Sequence, residues 1–370
     1  MQTGIANLPL HSGKCPPWLF SRMKNLGREI SKIIIYEYGT LELIRRLSDP
    51  FFFQSLGCIL GFDWHSSGIT TTVCGALKEG LNEENLGLQI CGGKGKTSLK
   101  TPEEIANTKL SLSNKQINNL IDASKTSAKV DNALIQDGFQ LYHHCFFFDE
   151  RGNWTVIQQG MREGNGLKDR FGCNGGLARR YHWLSENLQS MIIEPHTAIC
   201  CNLSNPKVLN MTAKESVETQ KVSVDIVKEG SIKVKNYLKE IKKLDMPMHH
   251  EIFNCNLSER GLKMIDIAKD YNPNSYEELI KIKGIGPKTI RSLALISDII
   301  YGTQTSWKDP VKYSFAHGGK DGIPYSVNRK LMDENIELLK NAIENAKLGD
   351  KEKIWAIKKL NEFYNSEITL

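Results

Sequence analysis

A short glycine hairpin constrains the fold of this chain more than any other feature. The segment Gly284–Thr289 reads GIGPKT and lies between two runs whose apolar residues recur at helical spacing. Pro287 suits the first turn of the second helix, and the two glycines let the backbone approach another group closely. The free amide groups of a helix N-terminus then lie beside the turn. The sequence therefore predicts two helices joined by a backbone surface that can hold a phosphate.

The segment from Ser275 to Tyr301 resembles the helix-hairpin-helix, a module that grips the backbone of DNA or RNA without reading its sequence. An ordinary helix pair with a glycine turn explains the glycines. It does not explain the basic residues gathered at the same turn, which can neutralise phosphates and make binding fall with salt. We therefore expect double-stranded DNA as the partner, contacted by Lys283, Gly284, Ile285, Gly286, Lys288, Thr289 and Arg291.

Composition permits this function without requiring it. The chain has 370 residues, too long for a single small domain, and a net charge of +6. It contains no apolar run long enough to span a membrane and no secretory signal, so we expect a cytoplasmic protein. The nine cysteines include no C-x-x-C pair, which argues against a zinc ribbon or a four-cysteine iron–sulfur site. We expect most of them to be small buried hydrophobic residues.

The predicted fold class is α+β, with a mixed α/β N-terminal domain that contains a β-hairpin and an all-helical C-terminal domain that contains the glycine hairpin. The strongest β signal is residues 141–161, where two aromatic and β-branched runs flank the turn residues Asp149–Asn153. The predicted domains are residues 1–206, a helical connector at 207–250, and residues 251–370 with the helix-hairpin-helix at 275–301.

Three shorter segments of the N-terminal half carry local predictions. The apolar run 51–60 predicts a strand that ends at Phe62, and residues 69–81 predict a helix packed on it. Residues 82–100 are expected to form a loose, basic surface segment. The Gly95-Lys96-Thr97 sequence within it lacks the upstream glycine that a phosphate-binding P-loop needs.

Polar residues cluster at the ends of the predicted N-terminal strands, where a rigid scaffold presents chemistry. An Asp/His/Glu set there can hold a divalent metal and activate water for phosphodiester cleavage, although the spacing matches no established metal motif. Aromatic residues interleaved with arginines suit stacking on unpaired bases, so Arg179 and Arg180 are also candidate DNA contacts. The candidate catalytic residues of this domain are Asp63, His65, His143, His144 and His182. The same polar neighbourhood also includes residues that carry no catalytic prediction: Asp149, Gln158, Gln159, Glu194 and His196.

The hairpin also resembles that of the helix-hairpin-helix DNA glycosylases, which carry a lysine after the glycines and an aspartate beyond the second helix. Lys288 stands in the relative place of that lysine, and Asp309 stands near that of the aspartate. The resemblance implies that Lys288 attacks the sugar C1′ and forms a Schiff base that breaks the strand, with Asp309 activating the lysine. The sequence after Asp309 departs from the glycosylases, and non-catalytic modules also place a lysine here to meet phosphate.

Longer strings, GFDWHSSGITTTVCGALKEGL, GNWTVIQQGM, ARRYHWLSE and DPVKYSFAHGGKDGIPY, resemble an archaeal and bacterial family known as domain of unknown function 763, from about Gly4 to Ile343. This resemblance implies kinship but no mechanism. We expect a DNA-repair enzyme that acts on damaged bases or abasic sites with strand cleavage, either as a glycosylase/lyase or as a hydrolytic endonuclease. The alternatives are a non-enzymatic nucleic-acid-binding protein that uses the helix-hairpin-helix, a metal-dependent nuclease with its site in the N-terminal domain, and a small-molecule enzyme of that domain.

Overall fold

The structure is a computed structural model that describes residues 15–62, 67–162, 177–201, 204–244, 257–311, 329–346, 349 and 353–360. Over these residues it confirms the α+β class, with an antiparallel sheet, helices on both of its faces and a helical C-terminal part. No helix in the described part of the chain is both long enough and apolar enough to cross a membrane.

Four helices form the first layer: α1 (Pro17–Tyr38), α2 (Thr40–Ser48), α3 (Pro50–Ile59) and α4 (Gly68–Leu81). The helix predicted at 69–81 is confirmed, but the strand predicted at 51–60 is wrong. Asp49 caps α3 by accepting a hydrogen bond from the Phe51 amide at 2.8 Å, and Pro50 suits the first turn. Every residue of α3 is buried, so the apolar run has no period that distinguishes a helix from a strand.

The strands of the described residues are β1 (Leu88–Lys94), β2 (Ile135–Gln136), β3 (Gln140–Asp149), β4 (Trp154–Arg162), β5 (Leu177–Leu184), β6 (His196–Cys201) and β7 (Leu209–Asn210). Five of them form one sheet in the order β1-β3-β4-β5-β6, antiparallel throughout, and β2 pairs with β7. The predicted β-hairpin is confirmed as β3 and β4, whose turn is held by the Asp149 carboxylate. That carboxylate accepts hydrogen bonds from the backbone amides of Arg151 and Asn153 at 3.0 and 2.9 Å.

The remaining helices complete the two outer layers. The sheet face that packs on α1–α4 and α12, here called the α4 face, contributes Cys145, Phe147 and Ile157 to one core. The opposite α6 face contributes Phe146 and Trp183 to a second core, which it shares with helices of the C-terminal half. The remaining helices of the described residues are α5 (Thr101–Ala106), α6 (Asn114–Ala133), α7 (Val217–Glu229), α8 (Ser231–Ile241), α9 (Glu259–Tyr271), α10 (Tyr276–Lys281), α11 (Pro287–Tyr301) and α12 (Arg329–Asn345), and residues 353–360 are also helical. The boundaries of the three predicted domains stay predictions.

Strand β1 lies inside the segment that was expected to be loose, so that expectation is wrong for residues 88–94. The strand is hard to recognise because it contains Gly92 and Gly93. Gly92 has a φ of +86° and lies against β3, where a Cβ would come within 2.2 Å of the His144 carbonyl oxygen. Glycine is therefore required at this point of the sheet by both conformation and space.

We expect Gly92→Ala to destabilise the protein far more than Gly95→Ala. Both glycines have positive φ, but a Cβ at Gly95 would meet nothing within 4 Å. Gly95→Ala should therefore cost only the left-handed backbone strain, about 1–2 kcal/mol. Gly92→Ala should cost roughly 2–4 kcal/mol more, because β1 must separate from β3. Urea denaturation of the two variants measures the difference, and equal losses would contradict the close approach.

Candidate active site and glycine hairpin

The sheet register separates the predicted site residues onto two faces. His143, Gln159 and Arg180 are paired across β3, β4 and β5, and their side chains share the α4 face. His144 and Gln158 are the next pair along and belong to the α6 face. The adjacent histidines of the sequence therefore contribute to two different sites.

On the α6 face, a chain of hydrogen bonds runs from α6 through the sheet to His196. Ser124 Oγ contacts His144 Nε2 at 2.9 Å, and His144 Nδ1 contacts Gln158 Oε1 at 2.9 Å. Gln158 Nε2 donates to Asp131 Oδ2 at 2.5 Å, and Asp131 Oδ1 contacts His196 Nε2 at 2.5 Å. Because Gln158 uses its amide N–H on Asp131, its oxygen is the group that accepts from His144. Burial lowers the pKa of His144 to about 4, so this ring is neutral.

Asp131 is the centre of this chain. Its carboxylate is fully buried, and it also accepts a hydrogen bond from Trp183 Nε1 at 3.0 Å. A buried carboxylate held by two neutral donors keeps a fixed position, so the His196 ring it contacts is also fixed. The Nε2–H of His196 points at Asp131, which leaves Nδ1 as the nitrogen with a free lone pair. This is the arrangement in which an aspartate orients a histidine as a base.

His196 lines an open cleft with a cavity volume of about 170 Å³ between β6, β7 and the segment that follows α11. The cleft is the kind of concave, partly polar surface in which substrates bind. Its lining residues are Glu194, His196, Ala198, Ile199, Asn210, Thr212, Ala213, Glu215, Ser306, Lys308, Asp309, Pro310 and Val311.

Glu194, at the rim of this cleft, has a φ of +44°, which is strained for a residue with a side chain. Its amide donates to the Thr212 carbonyl oxygen at 2.8 Å, and its carboxylate lies 3.2 Å from Lys214 Nζ. Strained residues that the surrounding structure holds in place often occur at functional sites. The strain therefore gives a second, independent reason to regard the cleft as the site.

Asp309 lines the cleft but is held by a buried arginine. Arg179, at 0% exposure, binds both oxygens of Asp309 at 2.9 and 2.8 Å and Asp137 Oδ2 at 2.8 Å. Tyr181 donates to the same Asp137 oxygen at 2.7 Å. Burial raises the pKa of Asp137, and the Arg179 guanidinium opposes this effect. No hydrogen bond or ion pair joins Asp309 to Lys288, both of which lie in the described ranges.

On the α4 face, Arg180 and His182 are also fully buried. Arg180 Nε donates to His182 Nε2 at 2.8 Å, and His182 Nδ1 donates to the Leu47 carbonyl oxygen at 3.3 Å. Burial lowers the pKa of His182 well below its usual value, and the adjacent Arg180 lowers it further. His182 is therefore a neutral structural ring here. A phosphate cannot reach Arg179 and Arg180, because both are fully buried, so these two arginines do not form part of a DNA-binding surface.

The same face contains a group of three side chains able to hold a metal ion. The Sγ atoms of Cys74 and Cys145 and a ring nitrogen of His143 all lie within 4.8 Å of one another, and all three residues are buried. Both ring nitrogens of His143 lack a hydrogen-bond partner, which is rare for a buried imidazole. Burial lowers the pKa of His143 to about 3, with a smaller contribution from Lys94.

The two helices predicted around the glycine hairpin are present as α10 and α11. Gly284 has a φ of +100°, and Gly286 is the residue before α11, which has no side-chain cap. A Cβ at Gly286 would meet nothing closer than 4.0 Å, so packing does not require glycine there. Lys283 and Lys288 are exposed beside the turn.

Side chains of α6 and of the residues just after it bind the hairpin. Lys129 Nζ donates to the Ile285 carbonyl oxygen, and Lys281 Nζ binds Asp122 at 2.7 Å. Gln136, just after α6, donates to the Pro287 carbonyl oxygen at 2.8 Å. The predicted contact Arg291 is half-buried, where it binds Gln136 Oε1 at 3.2 Å and lies over the Trp307 ring. The exposed charges beside the turn are therefore Lys283 and Lys288.

Sequence reasoning located some of these residues and missed others. His143, His144 and His182 were predicted catalytic residues, whereas His196 was noted only as a polar residue of the same neighbourhood. The predicted residues Asp63 and His65 lie outside the described residues. Asp131, Cys74 and Cys145 were not predicted. The signal for the metal-binding group was the pair His143-x-Cys145, which an alternating strand places on one face. Cys74 and Asp131 had no local signal.

Comparison with known proteins identifies kinship without an activity. The family described as "Protein of unknown function (DUF763)" matches residues 4–327. No curated protein and no solved structure gives a match.

Proposed function

Since the chain belongs to the DUF763 family, whose description assigns no activity, we propose from its geometry that it is a DNA-repair enzyme that cleaves damaged duplex DNA by hydrolysis. The glycine hairpin holds the sugar-phosphate backbone, and His196 acts as the general base in the neighbouring cleft. The substrate is a strand that carries a modified base or an abasic site.

One observation carries the proposal: α6 supports the hairpin and the catalytic pair together. Lys129, which binds the hairpin, and Asp131, which holds His196, are two residues apart in this helix. Two residues correspond to a rotation of roughly 200°, so the two side chains leave opposite sides of a helix about 10–12 Å across. Arg291 of α11 also lies over the ring of Trp307, which directly precedes the cleft residue Lys308. A duplex held at the hairpin would therefore lie near the cleft.

The pair of Asp131 and His196 supplies the chemistry. Asp131 holds the imidazole by its Nε2–H, and the free Nδ1 can accept a proton from a water molecule as the water oxygen attacks the phosphorus of the damaged strand. The bond from phosphorus to the departing sugar oxygen breaks, and that oxygen takes up a proton from the protonated His196 or from solvent. Lys308 lines the same cleft and offers a positive charge to the phosphate. Glu194, at the rim, pairs with Lys214 and places a carboxylate that disfavours a phosphate on that side of the cleft, which orients the strand.

The Schiff-base alternative has weaker support. Asp309 would have to activate Lys288, but its carboxylate accepts hydrogen bonds from Arg179, the Asn205 amide and the Val311 amide. A carboxylate saturated in this way is a poor partner for a lysine. Lys288 fits a phosphate contact better than a nucleophile.

Duplexes with one abasic site or one oxidised base, incubated with and without borohydride and with and without EDTA, test the proposal. We expect cleavage without covalent trapping, and loss of cleavage in His196→Gln but not in Lys288→Ala at saturating protein. A trapped adduct that disappears in Lys288→Ala would favour the lyase instead. Salt-sensitive binding without cleavage of any duplex would favour the non-enzymatic alternative. Cleavage that EDTA abolishes would add a divalent metal to the mechanism.

Lys288→Gln is expected to weaken binding to all duplexes alike and to reduce the slope of log affinity against log salt by about 1. The reason is that one phosphate contact, and its released counterion, is lost. Fluorescence anisotropy at several salt concentrations measures the slope. Lys340→Gln is the matched control, because this exposed lysine lies on α12 on the opposite side of the sheet. An unchanged slope for Lys288→Gln would count against the hairpin as the DNA surface.

A further inference from the structure

We propose that Cys74, His143 and Cys145 bind a thiophilic metal ion, zinc in the first instance, at a site separate from the His196 cleft. The three ligand atoms come from two elements: Cys74 from α4, and His143 and Cys145 from alternate positions of β3. They converge within 4.8 Å of one another. The ligands of a tetrahedral zinc ion lie roughly 3.3–3.8 Å apart, given the usual zinc–sulfur and zinc–nitrogen lengths. Side-chain rotations that move the ligand atoms by about 1 Å bring the three atoms to that geometry.

Burial without hydrogen bonding is the observation that points to a ligand. His143 is 1% exposed, and neither ring nitrogen has a partner. A buried imidazole with two unpaired nitrogens carries a desolvation cost that no hydrogen bond offsets. Coordination of one nitrogen removes that cost. A structural histidine that only filled space would be expected to pair at least one nitrogen.

Gln159, the residue paired with His143 on β4, offers a hydrogen-bond acceptor for the second ring nitrogen. A metal-bound histidine donates its other ring N–H to an acceptor, which fixes the ring. Gln159 is the register partner of His143 on β4, and its Oε1 is a buried acceptor with no partner. The Gln159 amide nitrogen is already oriented by the Ser67 carbonyl oxygen at 2.9 Å. The amide oxygen is therefore turned away from Ser67 and is free to receive the imidazole N–H.

The donor set and the charge balance select the metal. Two thiols and an imidazole suit zinc or copper(I), and they do not suit magnesium or calcium, which prefer oxygen. Binding of zinc displaces the two thiol protons to solvent, and two thiolates then neutralise the dipositive ion. Three cations also act on these side chains: Lys78, which pairs with Glu104 at 2.6 Å, Lys94 and the buried Arg180. The zinc ion, its two thiolates and the neutral imidazole are together uncharged, which suits a buried site.

The position of the site indicates a structural role. It joins α4 to β3 on the α4 face, whereas Asp131 and His196 act on the α6 face. A failure of the proposed metal site would therefore leave the proposed cleavage chemistry untouched, and the reverse also holds. Cys91 provides a matched control, since it is a buried cysteine of the neighbouring strand β1 that faces the other core.

The test uses the full chain, reduced and freed of metal, and titrates it with zinc and with cobalt(II). We expect about one ion per chain, a thiolate-to-cobalt charge-transfer absorption, and a rise in melting temperature on loading. Cys74→Ser, Cys145→Ser and His143→Gln should lose the absorption, and Cys91→Ser should keep it. Gln159→Leu should weaken affinity by on the order of 10–100-fold.

Two results would overturn the proposal. One is a reduced wild-type chain that shows no charge-transfer absorption and no thermal shift with either metal, a readout that needs no variant to fold. The other is a stable Cys74–Cys145 disulfide in the purified chain that persists under mild reduction. Copper(I) bound in place of zinc, and lost in the same three variants, would support the same site.

Discussion

His196→Gln is expected to lower the rate of strand cleavage by about 10²–10⁴-fold, the usual contribution of a positioned general base. The substitution removes the ring nitrogen that takes the proton, while the glutamine amide can still donate to the buried Asp131 carboxylate. DNA binding should stay close to that of the wild type, because the hairpin lies on the other side of α6. Single-turnover cleavage and anisotropy on the same duplex separate the two effects.

Asp131→Asn extends this prediction, because Asp131 is a positioning residue that touches His196 and not the DNA. It should lower kcat with little change in KM, since an asparagine can present an N–H to His196 Nε2 and select the wrong tautomer. Thr197→Val is the matched control. Its hydroxyl donates to the Ser48 carbonyl oxygen at 3.2 Å, away from Asp131. Unimpaired cleavage in both His196→Gln and Asp131→Asn would remove this cleft as the catalytic site.

Those elements that local patterns determine were predictable. The helices α10 and α11 follow from apolar periodicity around a glycine turn, and the β3–β4 hairpin follows from aromatic runs around Asp149–Asn153. Where the local pattern is ambiguous, the prediction from the sequence was wrong. The helix α3 is buried all round, and β1 is interrupted by the glycines that its close contact with β3 demands.

The candidate site was less predictable, because long-range contacts assemble it. Asp131 lies in a polar stretch of α6 that is typical of an exposed helix, and only packing against the sheet buries it 65 residues from His196. Asp309 follows Lys288 at a suggestive spacing, yet its partner is Arg179, which lies 130 residues earlier. Chain order therefore suggested a pairing with Lys288, whereas the structure pairs Asp309 with a distant buried charge. Residue types at strand ends indicated the neighbourhood of the proposed site, but not the pairs within it.

Arg179→Met should be among the most destabilising single substitutions in the chain. Arg179 is the buried positive charge between Asp137 and Asp309, and removing it leaves two carboxylates without their ion-pair partner. The loss of one partner of a buried ion pair costs about 3–5 kcal/mol. Thermal and urea unfolding at pH 8 measure the loss. Arg162→Met is the control, since Arg162 also lies over the Phe139 ring but binds the neutral Asn205, so its loss should cost about 1 kcal/mol.

The deficit of Arg179→Met should also depend on pH in a defined direction. Burial already raises the pKa of Asp137, and Arg179 holds it down, so the variant should raise this pKa further above the unfolded value. A raised folded pKa means that the folded protein binds the proton more tightly than the unfolded chain. Stability is then greatest below the unfolded pKa and is lost as pH rises through the folded pKa. The variant should accordingly recover part of its deficit relative to wild type between pH 8 and pH 5, whereas a deficit that stays the same across this range would show that Arg179 acts through packing alone.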